Sequence, residues 1–91
     1  FMMIEAMADA AVKQGLPRKQ ALVFAAQAVL GSAQMVLETG MHPGALKDMV
    51  CSPGGTTIDA VCELEKMGFR ASIEVAMDVC AKKSKAMTEV K

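Results

Sequence analysis

Ser52-Pro53-Gly54-Gly55-Thr56-Thr57 is the part of this chain best equipped for chemistry. It is entered by His42-Pro43-Gly44-Ala45-Leu46-Lys47-Asp48 and followed by Ile58-Asp59. Two glycines and two hydroxyl side chains fall where a helix is expected to begin. A helix start carries several unpaired N–H groups and about half a positive charge. Glycines in front of it let a ligand come close to the backbone, and threonine hydroxyls donate or accept. Such a set suits a carboxylate or a phosphate. It is no Walker A loop, because the lysine of GxxxxGK[ST] is missing, and no dinucleotide fingerprint, because no strand precedes it. A plain Pro-Gly-Gly turn with a threonine cap accounts for the same residues, and the residue types alone leave both readings open.

Other reactive residue types are isolated. His42, the one histidine, has no cysteine or carboxylate at metal or catalytic spacing, so capping or packing is its expected role. Cys51, Cys62 and Cys80 are odd in number and lack CxxC spacing, which argues against a disulfide framework and a zinc site. They are expected to be reduced thiols packed as small hydrophobes, in keeping with a cytoplasmic protein. Lys82, Lys83 and Lys85 form the one basic cluster, near the C-terminus, where cations favour a helix end. With ten basic and ten acidic residues the formal charge is zero, and nothing resembles a nucleic-acid footprint.

The elements that must position the loop are helices. The chain has 91 residues, 53 % of them hydrophobic, with 9 Met and no Trp or Tyr. A lone helical domain of this size has too little interior for that much apolar surface, so the excess is expected against a second chain. Residues 20–37 carry no charge and approach membrane-spanning length. Gln20, Gln27, Gln34, Ser32 and Gly31 interrupt them, and a buried bundle helix is the reading adopted, with no membrane partner. Phe1-Met2-Met3-Ile4 lacks the basic leader of a signal peptide.

The first helix is expected over 1–14, with Glu5, Asp9 and Lys13 as a polar stripe and Asp9–Lys13 as an ion pair. No capping residue precedes it, so it is expected to start before residue 1, in a domain cut from a longer protein. Gly15 ends it, and Pro17 opens a second helix over 17–39, apolar on several faces. Gly40 stops that helix. A third runs over 43–50 with Leu46, Met49 and Val50 inward. The fourth covers 57–67, with Thr56 and Asp59 at capping-box spacing and Ile58, Val61, Cys62 and Glu65 on one side. Gly68 leads into the last helix, over 69–86, with Ile73, Ala76, Met77 and Cys80 apolar and Glu74, Asp78 and Lys82 wet. The tail beyond Met87 is expected to fray. With no strand-period alternation, the class is all-α with five helices.

The segment His42-Pro43-Gly44-x-Leu46-Lys47-Asp48-x-Val50-x-Ser52-Pro53-Gly54-Gly55-Thr56-Thr57-Ile58 resembles the signature of the pyrroline-5-carboxylate reductases. The likeness extends through Glu5-Ala6-Met7-Ala8-Asp9-Ala10, Gly15-Leu16-Pro17-Arg18 and Leu64-Glu65-x-x-Gly68-Phe69-Arg70. It covers nearly the whole chain and is confined to that family's C-terminal domain.

The resemblance implies a five-helix bundle of the 6-phosphogluconate dehydrogenase C-terminal-domain type, interlocked as a homodimer through the helices at 1–14, 17–39 and 69–86, with assembly beyond the dimer left open. It implies an enzyme reducing L-1-pyrroline-5-carboxylate to L-proline with NADPH or NADH, the last step of proline biosynthesis. Gly54, Gly55, Thr56 and Thr57 would cradle the substrate carboxylate through backbone amides, those around Gly55 to Thr57 foremost. The Thr57 hydroxyl would face the ring nitrogen as the catalytic group, and Val50 and Ser52 would line the pocket. The family's N-terminal Rossmann domain is absent from this sequence. No cofactor is therefore expected on these residues alone, nor catalysis by them. The contrasting expectation is a structural helical dimer whose loop binds nothing.

Overall fold

The computed structural model describes residues 1–89, all of whose regular structure is helical. Five helices follow in order: α1 (Met2–Lys13), α2 (Arg18–Thr39), α3 (Pro43–Val50), α4 (Thr56–Lys66) and α5 (Phe69–Glu89). The chain divides into two compact units, Phe1–Lys47 and Asp48–Lys91.

The first unit is built on α1 against α2. Its core is three alanines, Ala8, Ala21 and Ala25, with Ile4, Ala11, Val12 and Leu16 packed around them. Methyl side chains allow the two backbones to approach closely, so this contact uses little side-chain volume. The turn between the helices is a Schellman motif. Leu16 N–H donates to the Ala11 carbonyl at 3.0 Å and Gly15 N–H to that of Val12 at 2.9 Å, with Gly15 at φ +108°. Leu16, just past the turn, closes over the alanine core. Pro17 is not the first residue of α2 but its N-cap, at φ −58° and ψ 142°, and its carbonyl accepts from Ala21 N–H. Asp9 pairs with Arg18, not with Lys13, so the ion pair ties α1 to the start of α2.

Most of α2 is uncovered within one chain. Ala21 and Ala25 are its buried residues, whereas Phe24 is 59 % and Leu37 83 % exposed. The expectation of a buried helix therefore fails for the chain taken alone. By length and composition α2 is apolar enough to cross a membrane. It ends at Gly40, φ +66°, where the Thr39 hydroxyl donates to the Met35 carbonyl and accepts from Met41 N–H.

In the second unit α4 packs against α5 across the turn Met67–Gly68, where Gly68 takes φ +76°. Arg70 Nε donates to Glu65 Oε1 at 2.6 Å. That bond, reinforced by the Glu65 and Glu74 charges, raises the Arg70 pKa above its usual value. Lys82 and Asp78 pair at 3.1 Å, one turn apart on α5. The last helix continues to Glu89, past the expected end at residue 86, so Thr88 and Glu89 are helical, not frayed. The remainder of the tail lies outside the described residues.

Several expected inward positions face outward in the single chain. Met49 and Val50 are exposed on α3, where Leu46 is half-buried. The α5 stripe of Ile73, Ala76, Met77 and Cys80 is exposed. On α4, Ile58 and Val61 are half-buried but Cys62 and Glu65 are exposed. Of the three free thiols only Cys51 is partly covered, which corrects the expectation of packed cysteines. The physical reason is common to all: the stripes follow helical spacing, but one chain supplies no surface to cover them.

Candidate functional site

The loop between α3 and α4 lies within the second unit, and its shape follows from four residues. Cys51 N–H donates to the Asp48 carbonyl at 3.2 Å, closing the end of α3. Ser52-Pro53-Gly54-Gly55 then form a tight turn in which Gly55 N–H donates to the Ser52 carbonyl at 3.0 Å. Proline at the second position and a glycine at φ +68° at the third are what a type II turn demands. Gly55 itself is extended, at φ −82° and ψ 175°, and is the N-cap of α4.

This start corrects the expected capping box. The helix begins at Thr56, one residue early, and its N-cap is a glycine with no side chain to offer. Thr56 and Asp59 are consequently first-turn residues and do not cap each other. The Thr56 and Thr57 hydroxyls are left exposed, and no hydrogen bond is formed by either among the described residues. Their main-chain amides, which point back from the helix start, likewise meet no backbone carbonyl among the described residues. Two amides and two hydroxyls are thus left without partners among the described residues at the exposed start of α4.

Gly55 departs from the expected cradle. Its N–H is engaged by Ser52, so its contribution is to backbone shape rather than donation. A Cβ built there would run into the Ser52 hydroxyl and come within 3.2 Å of the Ser52 carbonyl oxygen. Gly54 is exposed and supplies the positive φ. Val50, 63 % exposed, and Ser52, also exposed, flank the turn on its α3 side. Residues 50–58 carry no lysine or arginine, so what this stretch itself offers an anion is dipoles and hydroxyls. Asp59, in the first turn of α4, already uses part of that dipole.

Sequence reasoning missed the engagement of Gly55 by Ser52; the Pro-Gly pair following a serine was the available signal. Of the capping and packing roles expected for His42, the structure shows the cap. The His42 Nδ1 accepts from Gly44 N–H at 2.9 Å, and the His42 carbonyl accepts from Ala45 and Leu46 at the start of α3.

The sequence matches, over residues 1–87, the family described as pyrroline-5-carboxylate reductase dimerisation. The chain belongs to that family. As a member of the pyrroline-5-carboxylate reductase dimerisation family it is 68 % identical over 89 residues to the pyrroline-5-carboxylate reductase of Escherichia coli K12, covering 98 % of this chain and 33 % of that protein. The fold agrees with the crystal structure of the Plasmodium falciparum pyrroline carboxylate reductase with NADP bound, at a TM-score of 0.90 and 37 % identity, over 94 % of this chain and 33 % of that one. It agrees with the Coxiella burnetii pyrroline-5-carboxylate reductase at a TM-score of 0.92 and 34 % identity, over 99 % and 33 %. The chain spans about a third of the length of the curated relatives it matches.

Proposed function

We propose that this chain is the dimerisation and substrate-carboxylate-binding domain of a cytoplasmic pyrroline-5-carboxylate reductase, the NAD(P)H-dependent enzyme that reduces L-1-pyrroline-5-carboxylate to L-proline. The observation that carries the reading is the corner at Thr56 and Thr57, where unbonded amides and hydroxyls lie at a helix start in a chain of this family. The substrate carboxylate is anchored by those amides and the α4 dipole. That fixes one end of a small ring, which is the main requirement for bringing its imine carbon to a hydride donor. The Thr57 hydroxyl reaches the ring nitrogen, hydrogen-bonds the imine and developing amine, and polarises the C=N bond. Val50 and Ser52 bound the pocket on the α3 side. The added proton comes from water or from a substrate already protonated at nitrogen.

When bound, NADPH or NADH supplies the hydride. The described residues form no strand, glycine loop and helix of the dinucleotide-binding kind, so they do not fit that cofactor by themselves. In this reading the nucleotide belongs to a separate Rossmann domain, in line with the share of its relatives that the chain spans. The exposed apolar residues of α1, α2 and α5 are the surface on which a second copy interlocks. Free thiols throughout fit a reducing compartment.

The test is an amide NMR titration of the protein with proline or a cyclic carboxylate analogue. Shifts confined to residues 54–57 support the carboxylate site. Saturating ligand with no movement there leaves a helical dimerisation module without a ligand site, the reading that the exposed apolar surface alone would favour.

A further inference from the structure

His42 holds the first turn of α3 through a bond whose chemistry depends on its charge. Gly44 N–H donates to Nδ1 at 2.9 Å, which requires a lone pair on that nitrogen and therefore places the ring proton on Nε2. Gly44 is suited to the contact, since a Cβ at this position would lie 2.9 Å from Nδ1 and 3.1 Å from Cε1. The ring is exposed, and among the described residues its one hydrogen-bond partner is that amide. The nearest ionisable groups in sequence are Glu38, bonded to Gln34, and Lys47 and Asp48 further along α3.

We propose that His42 is a pH-sensitive N-cap, a clasp closed when the imidazole is neutral and released when it is protonated. Protonation acts twice in the same direction. It replaces the acceptor with an N–H facing another N–H, and it puts a cation at the positive end of a helix dipole. α3 has eight residues, too few to be stable from propensity alone, so the loss of a cap reaches most of its length. Its last residue is Val50, so on the function proposed above the clasp bears on one wall of the site. The clasp itself does not depend on that function.

The experiment is histidine-ring 15N and backbone NMR on the full-length protein, with His42→Asn to assign the ring and to supply a cap that does not titrate. Near about pH 8 the His42 ring should be the Nε2–H tautomer. On acidification the Cα shifts of Gly44, Ala45 and Leu46 should move toward coil in step with the ring's own 15N shifts. The opening equilibrium of the turn should rise about fivefold, the scale of one lost N-cap. In His42→Asn those shifts should stay constant under the same acidification. An Nδ1–H tautomer at the upper pH, or Gly44 to Leu46 shifts that ignore the ring's titration, would overturn the proposal from the unsubstituted protein alone.

Discussion

Gly55 and Ser52 fix each other: the Gly55 N–H donates to the Ser52 carbonyl at 3.0 Å, and the Ser52 hydroxyl fills the space a Gly55 side chain would need. The turn they close aims the first amides of α4 outward. Gly55→Ala should therefore push the exposed Ser52 hydroxyl aside and crowd the Ser52 carbonyl, destabilising the protein by about 0.5–1.5 kcal/mol. Adding Ser52→Ala removes the obstructing oxygen and should recover part of the loss. Denaturant unfolding of the two single variants and the double variant checks this, and strict additivity would show that the two residues do not interact.

Gly54 and Gly31 should respond in opposite directions to the same substitution. Gly54 sits at φ +68°, a conformation costing an alanine about 1–2 kcal/mol. Gly31 lies within α2 with nothing inside 4 Å of a built Cβ, so alanine there should gain about 0.5–1 kcal/mol in helix preference. Thermal unfolding gives both values. A loss of stability from Gly31→Ala would mean that a second chain occupies the space beside it.

Thr57→Ala in the full-length enzyme should lower kcat/KM by about one to three orders of magnitude, the scale of one lost transition-state hydrogen bond. Thr57→Ser keeps the hydroxyl and should stay within about tenfold of the original. Steady-state kinetics with L-1-pyrroline-5-carboxylate decides it, and unchanged kinetics in the alanine variant removes the role given to this side chain.

The alanine contact between α1 and α2 leaves no room for larger groups. Ala8 is 0 % and Ala21 1 % exposed, so Ala8→Leu or Ala21→Leu should cost about 1–3 kcal/mol or more by forcing the helices apart. Ala28→Leu, at an exposed position of α2, should be milder. Circular dichroism melts of the three variants would separate the cases.

Helix number, order and type were readable from the chain because glycine and proline punctuate it: Gly15, Gly40 and Gly68 each take positive φ just past a helix. α3 was readable to the residue. The details that escaped were decided by contacts beyond local sequence. Asp9 had Lys13 one turn away, yet it pairs with Arg18, brought near by the Schellman turn at Gly15. Thr56 had the right spacing from Asp59 for a capping box, but the turn at Pro53-Gly54 delivers Gly55 to the cap position instead. The residue types of the proposed anion site were visible in the loop. The engagement of the Gly55 amide was not, because it depends on how the turn folds back onto Ser52.

An interior made of methyl groups has an outcome for how the molecule comes into being. Since Ala8, Ala21 and Ala25 enclose so little, the side chains that ordinarily drive collapse stay exposed in one chain. On the dimer proposed above, maturation is a second-order event, governed by encounter frequency as much as by sequence. The melting midpoint should accordingly climb with the logarithm of protein concentration, as mass action requires when the native species is an assembly.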